Sequence, residues 1–463
     1  SKETVALFRI PVPEIRQRKA DGSLRWPNNL FGWFVELYFK AFHDLWPLFH
    51  KASFKVSSVP PPLYLTIAII GATYGTREAA EFGCMVHELL RSELIASLLD
   101  LRTSNAPSEA DCQTLLLNQV FALYVGQRRS FFIAQQLEAV LLVQARRIGL
   151  FREPGRLDMQ NIQVETRRRL AYGILRAHTY TFLLLGTPAA PLWEELEVGL
   201  LLDEEWWLED SQYASARIAR HQERRSVQFN DLVRLFLNGD EQLAPMRPVD
   251  QELVLMALAS HVWSIGRNRF IFRRLCKDEG QFSCITQIDA HRRETSKKTV
   301  QDATSETSRK DTTEALWGTY DLVWPANPEL GAYKAQLRVF LDALERWKLA
   351  CLASKGFSLQ KADRSRIFSC HILYHLTLLH LFADMDDLHN LAWHCTPAAG
   401  WDDRASSLLQ NAIRWKGSTD SEAAVRQAQS IYTMISHEVL LTAEHRAAHN
   451  ILAFSELGPA VQG

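Results

Sequence analysis

Glu165-Thr166-Arg167-Arg168-Arg169-Leu170-Ala171-Tyr172-Gly173, continued through Thr179-Tyr180 to Leu185-Gly186-Thr187-Pro188, carries the strongest structural signal in the chain. It reads as one helix from Glu165 to Leu185, stopped by Gly186 and Pro188, the residue types that end helices. Successive helix residues point about 100° apart, so Arg167, Arg168 and Arg169 cannot share a face and grip one phosphate backbone. Glu165 stands three and four residues before Arg168 and Arg169, the spacing of intrahelical ion pairs. The three arginines therefore read as an ion-paired scaffold.

Working outward, the same helical grammar repeats. Upstream, Phe31, Phe34, Val35, Tyr38 and Phe42 recur at three and four, with Pro47 and Pro60-Pro61-Pro62 as breaks. A long amphipathic helix is expected over Glu81 to Leu101. The next starts at Ser108-Glu109-Ala110-Asp111, which supplies a cap and first-turn acids. Phe131 to Ile148 follows, stopped at Gly149. Downstream, helices are expected over Leu330 to Ala353, Ile367 to Phe382, Ala405 to Trp415 and from Glu422 onward. Alternating strands and hairpin dipeptides are absent. The expected fold is all-α: an extended multi-helix domain of antiparallel helices.

Two segments break the pattern. Residues 1–29 carry Pro11, Pro13 and Pro27 with no sustained apolar period, and read as an irregular leader. Residues 279–314 are rich in Ser, Thr, Lys, Asp and Glu and nearly empty of large apolar side chains, so a disordered insertion is expected there. The helical domain then divides into 30–278 and 315–463.

The order of these stretches carries a resemblance. Leu37-Tyr38-Phe39-Lys40-Ala41-Phe42-His43 and Trp46 to Phe54, the small-residue run Ile67 to Gly75, Cys112 to Leu123, and Ala145 to Arg152 precede the Glu-x-Arg-Arg-Arg helix and its Gly-x-Pro stop. Together they resemble the fungal-specific transcription factor domain. In that family Glu165, Arg167, Arg168, Arg169, Gly186 and Pro188 form a structural signature. Ile372 to Leu388 and Ala405 to Ala428 resemble the C-terminal part of members that carry two-Cys-two-His zinc fingers. Two residues depart from the pattern: His178 stands where the family has an acid, and Asp44 where it has Pro.

The resemblance implies a nuclear regulatory domain of an RNA polymerase II transcription factor. A zinc finger N-terminal to this region would read DNA. The domain would restrain, dimerise or present that finger before the transcription machinery, in response to a small-molecule effector. Zinc is implied only with that finger, and the finger's residues are not in this sequence. The competing expectation is a finger-less member repurposed as a small-molecule-binding protein or biosynthetic enzyme.

Composition is consistent with this reading. With 52 Lys+Arg against 53 Asp+Glu the formal charge is -1, which does not supply the basic face that gripping nucleic acid requires. Seven scattered cysteines contain no C-x-x-C pair, so no zinc cage is expected here. The longest apolar runs, such as Leu63 to Ile70, are far shorter than the ~20 residues a membrane helix needs, and no membrane partner is expected.

Several side chains invite sharper readings. His371 and His375 stand at i and i+4, a zinc-capable spacing, but Ile372 occupies the place of the acid a metalloprotease helix needs. Asp384, Asp386 and Asp387 read as a helix-start turn rather than a diphosphate site. The Trp-rich acidic segment Leu192 to Leu208 is either an exposed activation patch or a strap whose tryptophans anchor on the bundle, with the strap favoured. No catalytic motif is recognised. Polar residues on otherwise apolar helices, namely Tyr172, His178, Tyr180, Tyr374 and His375, are the candidate effector pocket.

Overall fold

The arginine-rich stretch forms a helix, α6 (Asn161–Leu185), around which the protein is assembled. The computed structural model describes residues 17–18, 24–25, 30–99, 107–125, 128–153, 161–187, 192–202, 207, 228–239, 246–276, 328–353, 361–395 and 402–442. The insertion expected at 279–314 lies outside them.

In chain order the remaining helices are α1 (Leu30–Leu37), α2 (Pro61–Ala72), α3 (Arg77–Leu99), α4 (Glu109–Val125), α5 (Arg128–Arg147), α7 (Leu192–Glu195), α8 (Phe229–Asn238), α9 (Pro248–Cys276), α10 (Pro328–Ala353), α11 (Lys361–Phe382), α12 (Met385–His394), α13 (Asp403–Lys416) and α14 (Thr419–Thr442). The strands are confined, among the described residues, to β1 (Gln17–Arg18) and β2 (Leu24–Arg25), which pair antiparallel. This ladder lies inside the leader expected to be irregular. It leaves the all-α class unchanged.

Local chemistry sets the helix ends. α3 starts four residues before the expected Glu81, because the Thr76 hydroxyl accepts the Ala79 N–H and caps it. At α4, Ser108 Oγ accepts from Asp111 N while Asp111 Oδ2 accepts from Ser108 N, a reciprocal capping box. Asp384 and Asp402 cap α12 and α13 through the N–H groups of Asp387 and Ala405. The acids around Asp384 are thus a helix-start turn, as their spacing suggested. Beyond α1 the chain widens into a π-turn over Tyr38–Phe42, where His43 N bonds Tyr38 O.

The core runs as one contiguous apolar cluster from Phe31 near the start to Ala424 near the end, so the parts before and after residues 277–327 share it. α2 crosses α1 at Gly71, where a methyl group would strike the Phe34 carbonyl; only glycine permits this approach. α9 is the central element, with residues 251–260 all buried, and it packs on α6, α10 and α11. Among the described residues no single helix is long and apolar enough to cross a membrane.

Candidate functional site

Each signature arginine leaves α6 in a different direction and finds its own acid. Arg169 pairs with Glu165 one turn back, at 2.9 Å, with both side chains almost fully buried. Arg168 turns instead to Glu153 at 2.6 Å, which corrects the expectation that Glu165 would hold both. Arg167 reaches Glu109 at 2.5 Å and the carbonyls of Ile148 and Gly149. The divergence follows from the 100° step between neighbours.

These groups hold the Trp-rich segment. Leu202 N donates to Glu165 Oε1 (3.0 Å) and Arg169 donates to Leu202 O (3.2 Å). Gly199 N donates to Glu153 (2.8 Å), and the Tyr172 hydroxyl donates to Gly199 O (3.1 Å). Trp207 is fully buried, with its indole N–H on Pro47 O at 3.0 Å and the Arg169 guanidinium 4.6 Å above its ring. Trp193 is also buried. The segment is a strap anchored on the bundle; Trp206 lies outside the described residues.

Gly186 closes α6 in the left-handed region, at φ +66°, against the carboxylate of Asp386 in α12. Asp386 pairs with Arg267 of α9 at 2.5 Å. Pro188 lies outside the described residues.

A sequence profile of the fungal specific transcription factor domain matches residues 35–311, more than half of the chain. The chain belongs to this family. It is 30% identical over 117 residues to a transcription factor of Gibberella fujikuroi, covering 25% of this chain and 15% of that protein. It is 34% identical over 61 residues to the nicotinate catabolism cluster-specific transcription factor of Emericella nidulans, covering 13% of this chain and 7% of that protein. The chain thus spans a small part of these relatives. No solved structure matches.

The five candidate pocket residues have different structural partners. Tyr172 is buried under the strap. His178 Nδ1 lies 2.6 Å from Glu138 Oε1 of α5, and both are buried. The departure from the family's acid at 178 therefore keeps a buried polar contact, with the acid supplied across the interface. Tyr374 donates to Glu345 (3.2 Å) and stacks on Trp347 of α10. His375 Nδ1 lies 2.7 Å from Gln427 Oε1 of α14, and burial lowers its pKa.

Tyr180 belongs to a different group. Glu252, near the start of α9, meets Arg176 of α6 at 3.2 Å and Arg366 of α11 at 3.3 Å, with little exposure at any of the three. Tyr180 and Cys370 feel the charges of Arg176 and Glu252. Burial raises the pKa of Tyr180 and Cys370, so phenol and thiol are neutral at physiological pH. Tyr124 of α4 joins them, accepting from the Trp46 indole at 3.3 Å. Tyr374 follows Cys370 one turn later on α11.

Of this cluster, sequence reasoning found Tyr180 alone. No local signal marks Glu252, which ends the polar stretch Asp250-Gln251-Glu252 just before the apolar Leu253-Val254-Leu255.

Proposed function

We propose that this chain is the regulatory domain of an RNA polymerase II transcription factor acting in the nucleus, and that DNA is read by a zinc finger outside these residues. Family membership and the two fungal relatives support a role in transcription. One observation carries the division of labour. The densest basic run, Arg167 to Arg169, is turned inward onto Glu109, Glu153, Glu165 and strap carbonyls, so it is spent on scaffold rather than phosphate. The domain's work is then to restrain or present the finger, alone or as a dimer, as a small-molecule effector directs. The candidate groups for that effector are the polar side chains Tyr172, His178, Tyr180, Tyr374 and His375 on the helices of the bundle.

Fusion to an unrelated DNA-binding domain, with a reporter carrying its sites, tests this reading. The expected result is a change in reporter output relative to the DNA-binding domain alone, and no binding of duplex DNA by the unfused chain at physiological salt. Tight duplex binding by the unfused chain, or a fusion with unchanged output, overturns it.

A further inference from the structure

We propose that two copies of this chain associate through α13, set antiparallel about a two-fold axis near Leu409. This gives the dimer named above its surface, and the interface itself does not depend on the regulatory reading. α13 is seated on the molecule by one side. Ala405 and Leu408 are buried, and the Trp415 indole N–H donates to Phe382 O at 2.9 Å. The opposite side of a helix that meets only water is polar. Here it carries Leu409 and Ile413, one turn apart and 39% and 61% exposed. They belong to the stripe Asp402, Ser406, Leu409, Ile413, Lys416, whose alternating steps of four and three residues are those of helices that pair along a seam.

The charges select a second copy as the partner. Asp402 and Asp403 are exposed at the start of α13, and Arg414 and Lys416 are exposed at its end. Residues 402 and 416 are each seven positions from 409, so a half-turn about Leu409 sets Asp402 of one copy against Lys416 of the other. Asp403 and Arg414 are eleven positions apart, and at about 100° per residue they point the same way. They therefore meet along one flank of the same pairing. Each ion pair occurs twice by symmetry, while the aliphatic side chains meet at the centre, so the surface is complementary to itself. The capping bond from Ala405 N holds Asp402 at 2.7 Å, and Arg414 donates to Asn411 at 2.7 Å, which fixes both charges at the surface. α5 provides the contrast. It also exposes two large apolar side chains, Phe132 and Val143, but Arg128 and Arg129 open it and Arg146 and Arg147 close it. Two antiparallel copies of α5 would set arginine against arginine.

The test is sedimentation equilibrium of the full chain across a concentration series, with thermal unfolding to confirm that each variant is folded. The expected mass rises from one chain to two. Leu409→Glu and Ile413→Glu, which alter exposed side chains, should stay monomeric with Tm unchanged. Asp403→Arg and Arg414→Asp should each weaken self-association about 10-fold, because like charges then meet twice. Mixed in equal amounts, these two charge variants should recover association, since every facing pair is again of opposite sign. Neither misfolding nor a dimer through another surface produces that recovery. A monomer at every concentration overturns the proposal, and leaves another protein or residues 443–463 of the same chain to cover α13. A dimer untouched by all four substitutions, or a mixture no stronger than its parts, also overturns it. The reporter fusion separates this claim from the function proposed above. Output unchanged by Leu409→Glu upholds the interface and removes the dimer from the regulatory reading.

Discussion

At the scale of single residues, burial decides what a charge is worth. Arg77–Glu81 and Arg169–Glu165 are both i,i+4 pairs at 2.9 Å, but the first is exposed and the second is sealed in the core. Glu165→Ala leaves the Arg169 guanidinium buried without its acid and also removes the acceptor of Leu202 N. A loss of about 3–5 kcal/mol is expected in urea unfolding. Glu81→Ala should be near neutral by the same measurement. Histidine supplies a pH dependence of defined sign. Burial pushes His87 and His380 down to about 4, and each is held neutral on a backbone carbonyl, of Asn118 and Leu183. The unfolded chain, with histidine near 6.5, binds more protons than the native state between pH 6.5 and 4. Stability is therefore fully present above pH 6.5 and falls as pH drops through that window, by up to about 3 kcal/mol per histidine. Chemical denaturation at pH 7 and pH 5 checks this, and His380→Gln should flatten the slope.

At the scale of elements, the signature works as a clasp and a stop. The strap from Glu197 to Leu202 has no helix of its own, and its backbone groups are satisfied by Glu153, Glu165, Arg168, Arg169 and Tyr172. Trp207 anchors its far side, so Trp207→Ala should cost about 3–5 kcal/mol. It should also open the strap to proteolysis before the helices melt, visible as an early cleavage near Leu202. The stop is Gly186. Alanine there would be strained at φ +66° and would strike Asp386, displacing α12 from the end of α6. Gly186→Ala should lower Tm, whereas an alanine at an ordinary helical position would not.

For the whole molecule, Glu252 ties three helices together, α6 through Arg176, α9 itself and α11 through Arg366. Helices from both sides of 277–327 meet at this carboxylate. Glu252→Leu alone should destabilise the fold by about 3–5 kcal/mol, because two guanidiniums then face an apolar neighbour. Adding Arg176→Met and Arg366→Met should recover most of that loss. Thermal unfolding of the single and triple variants checks this.

The sequence by itself determined the helical class, the family and most helix ends, because periodicity, caps and stop residues are local and act within one or two turns. It missed α8 and α9 over 229–276. α9 is buried on every side over 251–260, where Leu253 to Ala259 are an unbroken apolar run, and such a run has no 3.6-residue pattern to read. It also misassigned Arg168, whose acid is near in sequence but off the helix, and it picked polar residues for a pocket without their partners. Tyr172, His178, Tyr374 and His375 turned out to bond the strap, α5, α10 and α14. Packing alone decided which acid each arginine meets. Those pairings join residues up to 190 positions apart, as in Arg176 and Arg366, through a shared partner on a third helix. Spacing along one helix carries no record of the neighbours that packing will bring.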